Sequence, residues 1–210
     1  MIYPGEYIQY LVHFHSDRDY FECHEILEEY WKEKDKGNKH SIWVAFIQLA
    51  VSQYHYRRNN FIGAERMLSN SIKLFLKNKD KIKDLGIDEV ELEKLLNENL
   101  SQIQRQQSYY SIAIPLIDEA LVSQCQAICT EKGQRFDTIS DLENSEIVER
   151  HRLRDRSDVI KTRDEAKEKK RKRLDETMPL RYLLNHIVLK IPLCIHLAKW
   201  SSQRITHLMP

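Results

Sequence analysis

One stretch decides the fold: Tyr20-Phe-Glu-Cys-His-Glu-Ile-Leu-Glu-Glu-Tyr-Trp31. Projected as an α-helix, with roughly 100° between successive residues, it separates into an apolar face and an acidic face. The apolar face carries Tyr20, Phe21, Leu27, Tyr30 and Trp31, and the acidic face carries Glu22, Glu25, Glu29 and Glu33. This division predicts an amphipathic helix whose aromatic side packs against other helices.

Two titratable side chains, His24 and Glu28, fall inside the apolar arc of this helix and not among its other glutamates. They are four residues apart, so a helix places them on one face, one turn from each other. Burial of an imidazole and a carboxylate is unfavourable unless each finds a partner. The stretch therefore predicts a polar site where this helix packs against its neighbours.

The composition of the whole chain is typical of an all-α protein. Its 210 residues include only five glycines and five prolines, and long segments have helical periodicity. A chain of this length can bury a stable hydrophobic core without disulfides or bound metal ions. Capping residues and periodicity predict a multihelical bundle with helices near residues 4–15, 20–32, 42–58, 61–78, 88–107 and 115–130, and a lysine-rich linker at 77–85.

The helix predicted for residues 42–58 begins with Ile-Trp-Val-Ala-Phe-Ile, which is apolar on every side. Such a helix belongs in the middle of a bundle. It nevertheless carries one narrow polar strip, which consists of Gln48, Ser52, His55 and Asn59. A central helix with a single polar strip indicates a polar pocket inside the bundle and not a solvent face.

The net charge of +1 hides a strong asymmetry along the chain. Residues 150–173 contain 12 Lys and Arg against 5 Asp and Glu, a net charge of +7. We therefore predict three parts: a multihelical core over residues 1–132, a charged helical arm over 133–178, and an apolar tail of uncertain order over 179–210.

The charged arm is expected to meet a protein partner. Residues 150–173 contain no aromatic side chain on which a base could stack, and acidic residues are interleaved, so nucleic acid is disfavoured. The tail is a poor transmembrane segment, because Lys190, Pro192 and Lys199 interrupt its apolar run. The sequence leaves a homo-oligomer open.

The four cysteines are scattered, with no CxxC pair, and the N-terminus has no basic region followed by an apolar run. Disulfides are rare in reducing compartments, where buried thiols behave as small apolar groups. We therefore expect a cytoplasmic protein.

Residues 14–76 resemble the bacterial and archaeal family catalogued as domain of unknown function 309. The resemblance rests on the opening stretch, on Phe46-Ile-Gln-Leu-Ala50 and on Tyr54-His-Tyr-Arg-Arg-Asn-Asn-Phe-Ile-Gly-Ala64. The positions that match the family pattern are His24, Glu25, Glu28, Trp31, Gln48, His55, Arg58, Asn60, Gly63 and Ala64. Asn59 stands where the family usually has glycine; both residues tolerate the left-handed conformation of a helix C-cap. The resemblance implies a multihelical fold around a three-helix core and an intracellular setting, and it implies no activity.

Three interpretations of the site stay open at this stage. In the first, His24, Glu28, Gln48, His55 and Arg58 form a buried polar network that fixes the packing of a binding or interaction module. In the second, the same residues line a pocket for a small ligand or peptide. In the third, His24, Glu28 and His55 hold a divalent metal and serve as the catalytic residues of a hydrolase-like enzyme, with Gln48 as a fourth ligand or as a hydrogen-bond partner of a ligand.

Overall fold

The computed structural model describes residues 2–150 and Glu168, and residues 2–150 belong to one compact unit. The described residues form helices and no β-strand, which confirms the predicted all-α class. The helices are α1 (Gly5–His15), α2 (Tyr20–Lys34), α3 (Ile42–Arg57), α4 (Phe61–Lys77), α5 (Lys79–Asp84), α6 (Glu89–Gln104), α7 (Glu119–Glu131) and α8 (Ser145–Val148).

Helices α2 and α3 begin where their capping residues predicted. The Asp19 carboxylate accepts a hydrogen bond from the backbone N–H of Glu22 at 3.0 Å, and the Ser41 hydroxyl accepts one from the N–H of Trp43 at 3.3 Å. Both bonds satisfy backbone donors that the first turn of a helix leaves unpaired. Asn59, which follows the C-cap residue Arg58 of α3, has φ of 56°, the left-handed conformation predicted for it.

The central helix of the bundle is α3, as its apolar composition predicted. It packs between α2 and α4, while α1 covers α2, α6 covers α4 and α7 covers α1. Aromatic rings fill the layer between α1 and α3: Phe46 lies 5.6 Å from Tyr7 and 5.5 Å from Tyr10, measured between ring centroids. Rings at this separation contribute about 0.5–1.5 kcal/mol per pair beyond the burial of their area.

Two local features differ from the sequence-based expectation. The predicted lysine-rich linker contains the short helix α5, and α7 begins at residue 119 and not at Pro115. Residues 115–117 instead run beside the turn before α6, where Asp88 N donates to Pro115 O at 2.9 Å and Ile117 N donates to Gly86 O at 2.8 Å. The Asp118 side chain then caps α7. These backbone bonds compete with a helix and delay its start.

Residues 134–150 pack against the turn between α1 and α2. Thr138 N donates to His15 O at 3.0 Å, and the Arg18 guanidinium donates through Nε to Thr138 O at 2.8 Å. Arg18 is buried and has φ of 58°. This segment returns the chain to the N-terminal end of α2, beside the predicted site.

Met1, residues 151–167 and residues 169–210 lie outside the described part of the chain. The charged helical arm predicted for 133–178 is therefore described only at residues 133–150 and at Glu168, with α8 as the helix of its first part, and the apolar tail is not described. The domain boundaries at residues 132 and 178 stay predictions. Within the described part, no helix combines the length and the apolar character that crossing a bilayer requires.

Candidate functional site

Helix α2 places His24 and Glu28 at the edge of the core. Tyr20, Cys23 and Leu27 occupy the centre of the buried face and are fully enclosed. The next residue along the helix is turned by about 100°, so His24 and Glu28 fall at the margin of that face. Their side chains are 27% and 34% exposed. The predicted inward orientation is thus only partial, and both side chains remain reachable from solvent.

The His24 imidazole lies between two carboxylates. Its Nδ1 is 3.0 Å from Glu25 Oε1, and its Nε2 is 3.5 Å from Glu28 Oε2. Glu28 Oε1 also forms an ion pair with the ammonium group of Lys32, at 3.0 Å from its Nζ. The sequence projection assigned Glu25 to the solvent face, but its long side chain folds back along α2 and reaches the imidazole of the adjacent residue.

His24, Glu25 and Glu28 each offer a ligand atom within 4.8 Å of the others, a spacing that suits one cation. His55 is not in this group, so the described geometry groups Glu25, and not His55, with the two other predicted metal ligands. One imidazole with two carboxylates suits a hard or borderline divalent ion. Two contacts oppose such an ion: Lys32 neutralises Glu28, and each carboxylate faces a different nitrogen of the same ring.

His24 and His55 do meet around a common space, a cavity of about 330 Å³ between α2 and α3. We call it the α2–α3 cavity; its lining residues are Tyr20, Phe21, His24, Val51, Tyr54, His55 and Arg58. Glu28 is not among them. The walls therefore combine three aromatic rings and one aliphatic side chain with two imidazoles and one guanidinium.

Two members of the predicted polar strip on α3 have other surroundings. The Ser52 side chain is fully buried and donates to Ala64 O at 2.9 Å, so it fastens α4 to α3 and does not face the cavity. Gln48 is partly buried, and its Oε1 has no hydrogen-bond partner among the described residues. Its spacing from Val51 and His55 puts it on the same side of α3 as the cavity wall.

A hydrogen bond to Asn60 fixes the ring of His55. Asn60 Oδ1 accepts from Gly63 N at 3.0 Å, which leaves its Nδ2 as a donor to His55 Nδ1, also at 3.0 Å. Nδ1 is therefore the acceptor nitrogen of the neutral ring, and the proton lies on Nε2.

Arg58 forms one end of the cavity. Its Nη1 donates to the Tyr54 hydroxyl at 3.0 Å, and its guanidinium lies 5.0 Å from the centre of the Tyr54 ring. Nε and Nη2 make a bidentate pair with the Glu149 carboxylate, both at 2.9 Å. Desolvation raises the pKa of Tyr54, so its hydroxyl is neutral at physiological pH. The sequence predicts Arg58 in the site, but it gives no sign of Glu149.

The adjacent Arg57, which the sequence analysis also missed, is buried beneath the site. Its Nη1 donates to Arg18 O at 2.7 Å, its Nη2 donates to Ile147 O at 3.1 Å, and its guanidinium stacks 4.9 Å from the centre of the Tyr20 ring. Arg57 thus joins the end of α3, the start of α2 and the α8 region. A buried arginine next to an aromatic-rich stretch has no distinctive sequence signal.

A second polar pair joins the buried His15, at the C-terminal end of α1, to Asp137, whose side chain is 57% exposed. His15 Nδ1 is 2.5 Å from Asp137 Oδ1, and its ring stacks on Phe136 with the centroids 4.6 Å apart. Burial lowers the pKa of His15 and outweighs the opposing effect of the Asp137 carboxylate. The hydrogen bond from His15 in turn lowers the pKa of Asp137. The pair is therefore a neutral imidazole that donates to a carboxylate.

Comparison with known proteins agrees with the resemblance. Residues 7–67, which include every residue that lines the α2–α3 cavity, match the family described as "Domain of unknown function (DUF309)". This chain belongs to that family. It is 45% identical over 174 residues to the "Uncharacterized protein YpuF" of Bacillus subtilis (strain 168), an alignment that covers 83% of this chain and 100% of that protein. No solved structure gives a significant match.

Proposed function

We propose that this protein is a binding module and that the α2–α3 cavity is its ligand site. The cavity volume lies at the lower end of the range in which small-molecule sites occur, roughly 300–1,000 Å³. Its walls also have the composition of such sites, since aromatic and aliphatic side chains predominate and a few polar groups converge.

The observation that carries the proposal is that His24 on α2 and His55 on α3 line the same cavity. A polar network with only a structural role would be expected to close on itself and exclude solvent. Here the imidazole of His24 is one-quarter exposed, and the polar groups lie beside aromatic walls. This arrangement leaves space for a ligand beside polar groups that are already paired within the chain.

The test is to fill the cavity without touching its polar groups. Val51→Phe places a ring in the space, while Ile62→Phe adds the same ring at a side chain that is 85% exposed. A set of aromatic fragments is titrated into both variants and the wild type, and the amide NMR signals of α2 and α3 are followed. We expect Val51→Phe to weaken binding at least tenfold, about 1.4 kcal/mol, and Ile62→Phe to change nothing. Equal binding to all three proteins would contradict the proposal.

The second candidate function is metal binding, as the first step of a hydrolase-like activity. The grouping of His24, Glu25 and Glu28 favours it. Titration with Mn²⁺ or Zn²⁺, followed by calorimetry, tests this candidate. If the described group is the site, Glu25→Gln abolishes binding and the exposed Glu29→Gln retains it. If His55→Ala abolishes binding and Glu25→Gln does not, the set predicted from sequence, with His24, Glu28 and His55, is the site instead.

The protein partner of the charged arm, the homo-oligomer and the cytoplasmic location also stay proposals. Buried thiols support the location: Cys23, Cys125 and Cys129 are unpaired and enclosed, and burial raises the pKa of Cys125 to about 12. Unreactive thiols of this kind are typical of proteins in reducing compartments.

A further inference from the structure

Arg58, which lines the α2–α3 cavity, is paired with a carboxylate of the same chain, that of Glu149. Arg58 has the planar fork that binds carboxylates and phosphates in bidentate fashion, and Glu149 fills that fork with two contacts of 2.9 Å. The two side chains are 21% and 30% exposed, so the pair is reachable from solvent and does not lie within the core. An anionic group of a ligand in the cavity could therefore bind the Arg58 guanidinium only in place of the Glu149 carboxylate.

The segment that carries Glu149, residues 144–150, is attached to the core mainly by polar contacts. No residue of α8 is buried. Arg57 donates to Ile147 O, and the Arg150 guanidinium pairs with the carboxylates of Asp19 and Glu22. Because little apolar surface is enclosed under this segment, its displacement does not open the hydrophobic core.

We infer that the ligand of the α2–α3 cavity carries a flat apolar group and one carboxylate or phosphate, and that this anion replaces Glu149 on Arg58. The inference rests on the proposed function. The rings of Phe21 and Tyr54 suit the flat group, and the guanidinium suits the anion. Glu149 then competes with the ligand. The affinity measured for the whole protein is the intrinsic affinity of the cavity multiplied by the fraction of molecules in which Glu149 is not bound to Arg58.

The experiment compares a charged probe with a neutral one of the same shape, 2-naphthoate and 2-naphthamide. Glu149→Gln removes the competing charge and keeps the side-chain size. Its matched control is Glu146→Gln, which removes the same charge from an exposed residue of the same segment. We expect Glu149→Gln to bind naphthoate about fivefold or more tighter than the wild type, and Glu146→Gln to bind it as the wild type does. Naphthamide should bind all three proteins equally.

Two further measurements test whether the ligand and Glu149 compete for Arg58. In the wild type, naphthoate should shift the amide signals of residues 144–150 and naphthamide should leave them in place. Arg58→Lys keeps the charge but loses the fork, so it should weaken naphthoate more than naphthamide. Repetition with 2-naphthyl phosphate and with inorganic phosphate separates an aromatic phosphate ligand from the free anion.

The outcomes distinguish the inference from the proposed function. If both naphthalene compounds bind and Glu149→Gln changes neither affinity, the competition is contradicted while the cavity remains a ligand site. If Glu146→Gln has the same effect as Glu149→Gln, the result reflects general charge and contradicts the specific contact. If neither compound binds the wild type or Glu149→Gln, both the inference and the proposed site are contradicted.

Discussion

Replacement of Arg57 by methionine should destabilise the fold far more than the same change at Arg58. The Arg57 guanidinium is buried and donates to two backbone carbonyl oxygens, of Arg18 at 2.7 Å and Ile147 at 3.1 Å. Hydrogen bonds from a charged group contribute about 1.5–3 kcal/mol each, and part of this gain is offset by the desolvation of the guanidinium. Methionine keeps the apolar stem, so we expect a loss of about 2–4 kcal/mol in the free energy of unfolding.

The side chains of Arg58 and Glu149 are 21% and 30% exposed, so solvent screens their pairing and Arg58→Met should cost no more than about 1 kcal/mol. Urea denaturation monitored by circular dichroism measures both variants, and the midpoint should shift without a change in slope. Hydrogen exchange should also accelerate at residues 144–150 in Arg57→Met, because Ile147 O loses its donor. Equal losses in the two variants, or a loss below about 1 kcal/mol for Arg57→Met, would refute the assignment of Arg57 as a buried structural link.

Three more results follow from the structure. Burial lowers the pKa of His15 below 6.5, so the imidazole takes up a proton on unfolding when the pH is below that value. The free energy of unfolding should therefore fall as the pH decreases from 6.5, by at most about 1.4 kcal/mol per pH unit, and His15→Asn should remove this slope. Gln53 and Asn99 share one fully buried 2.8 Å hydrogen bond, so either leucine substitution alone should cost about 1–3 kcal/mol and the double substitution less than the sum. Gly86→Ala should destabilise by at least about 1 kcal/mol, because φ is +71° and an added Cβ would lie 2.8 Å from the Tyr3 hydroxyl oxygen.

Each of these results has a clear contrary outcome. Parallel stability–pH curves for the wild type and His15→Asn would show that His15 does not titrate across folding. Strict additivity of the leucine variants would show that the two amides are not coupled. Gly5→Ala is the control for Gly86, because an added Cβ there meets nothing within 4 Å, and equal effects at the two glycines would contradict the steric argument.

Local sequence signals predicted much of the fold. The caps at Asp19 and Ser41, the apolar helix α3 and the left-handed Asn59 depend on residues within a few positions of each other. Helical spacing also brought His24 and His55 to facing sides of neighbouring helices, since periodicity alone decides which face a residue occupies.

The parts of the site that escaped prediction depend on distant segments of the chain. Glu149 is 91 residues from Arg58, and Asp137 is 122 residues from His15. Both acidic residues lie in the predicted charged arm, where no apolar face indicates how the chain packs, so nothing in the sequence indicates which side chain they reach. Glu25 was misplaced for another reason: a helical projection gives the direction of Cβ and not the reach of a flexible side chain.

The central claim is that a ligand enters between α2 and α3, and the most direct measurement is an intermolecular NOE. With the methyl groups labelled with ¹³C and 2-naphthamide in excess, the naphthalene protons should give NOEs to the Val51 methyl groups. The aromatic protons of Phe21 and Tyr54 should also be perturbed. A rival apolar groove exists between α4 and α6, lined in part by Ile72 and Leu76. NOEs to the methyl groups of Ile72 or Leu76, with none to Val51, would contradict the claim.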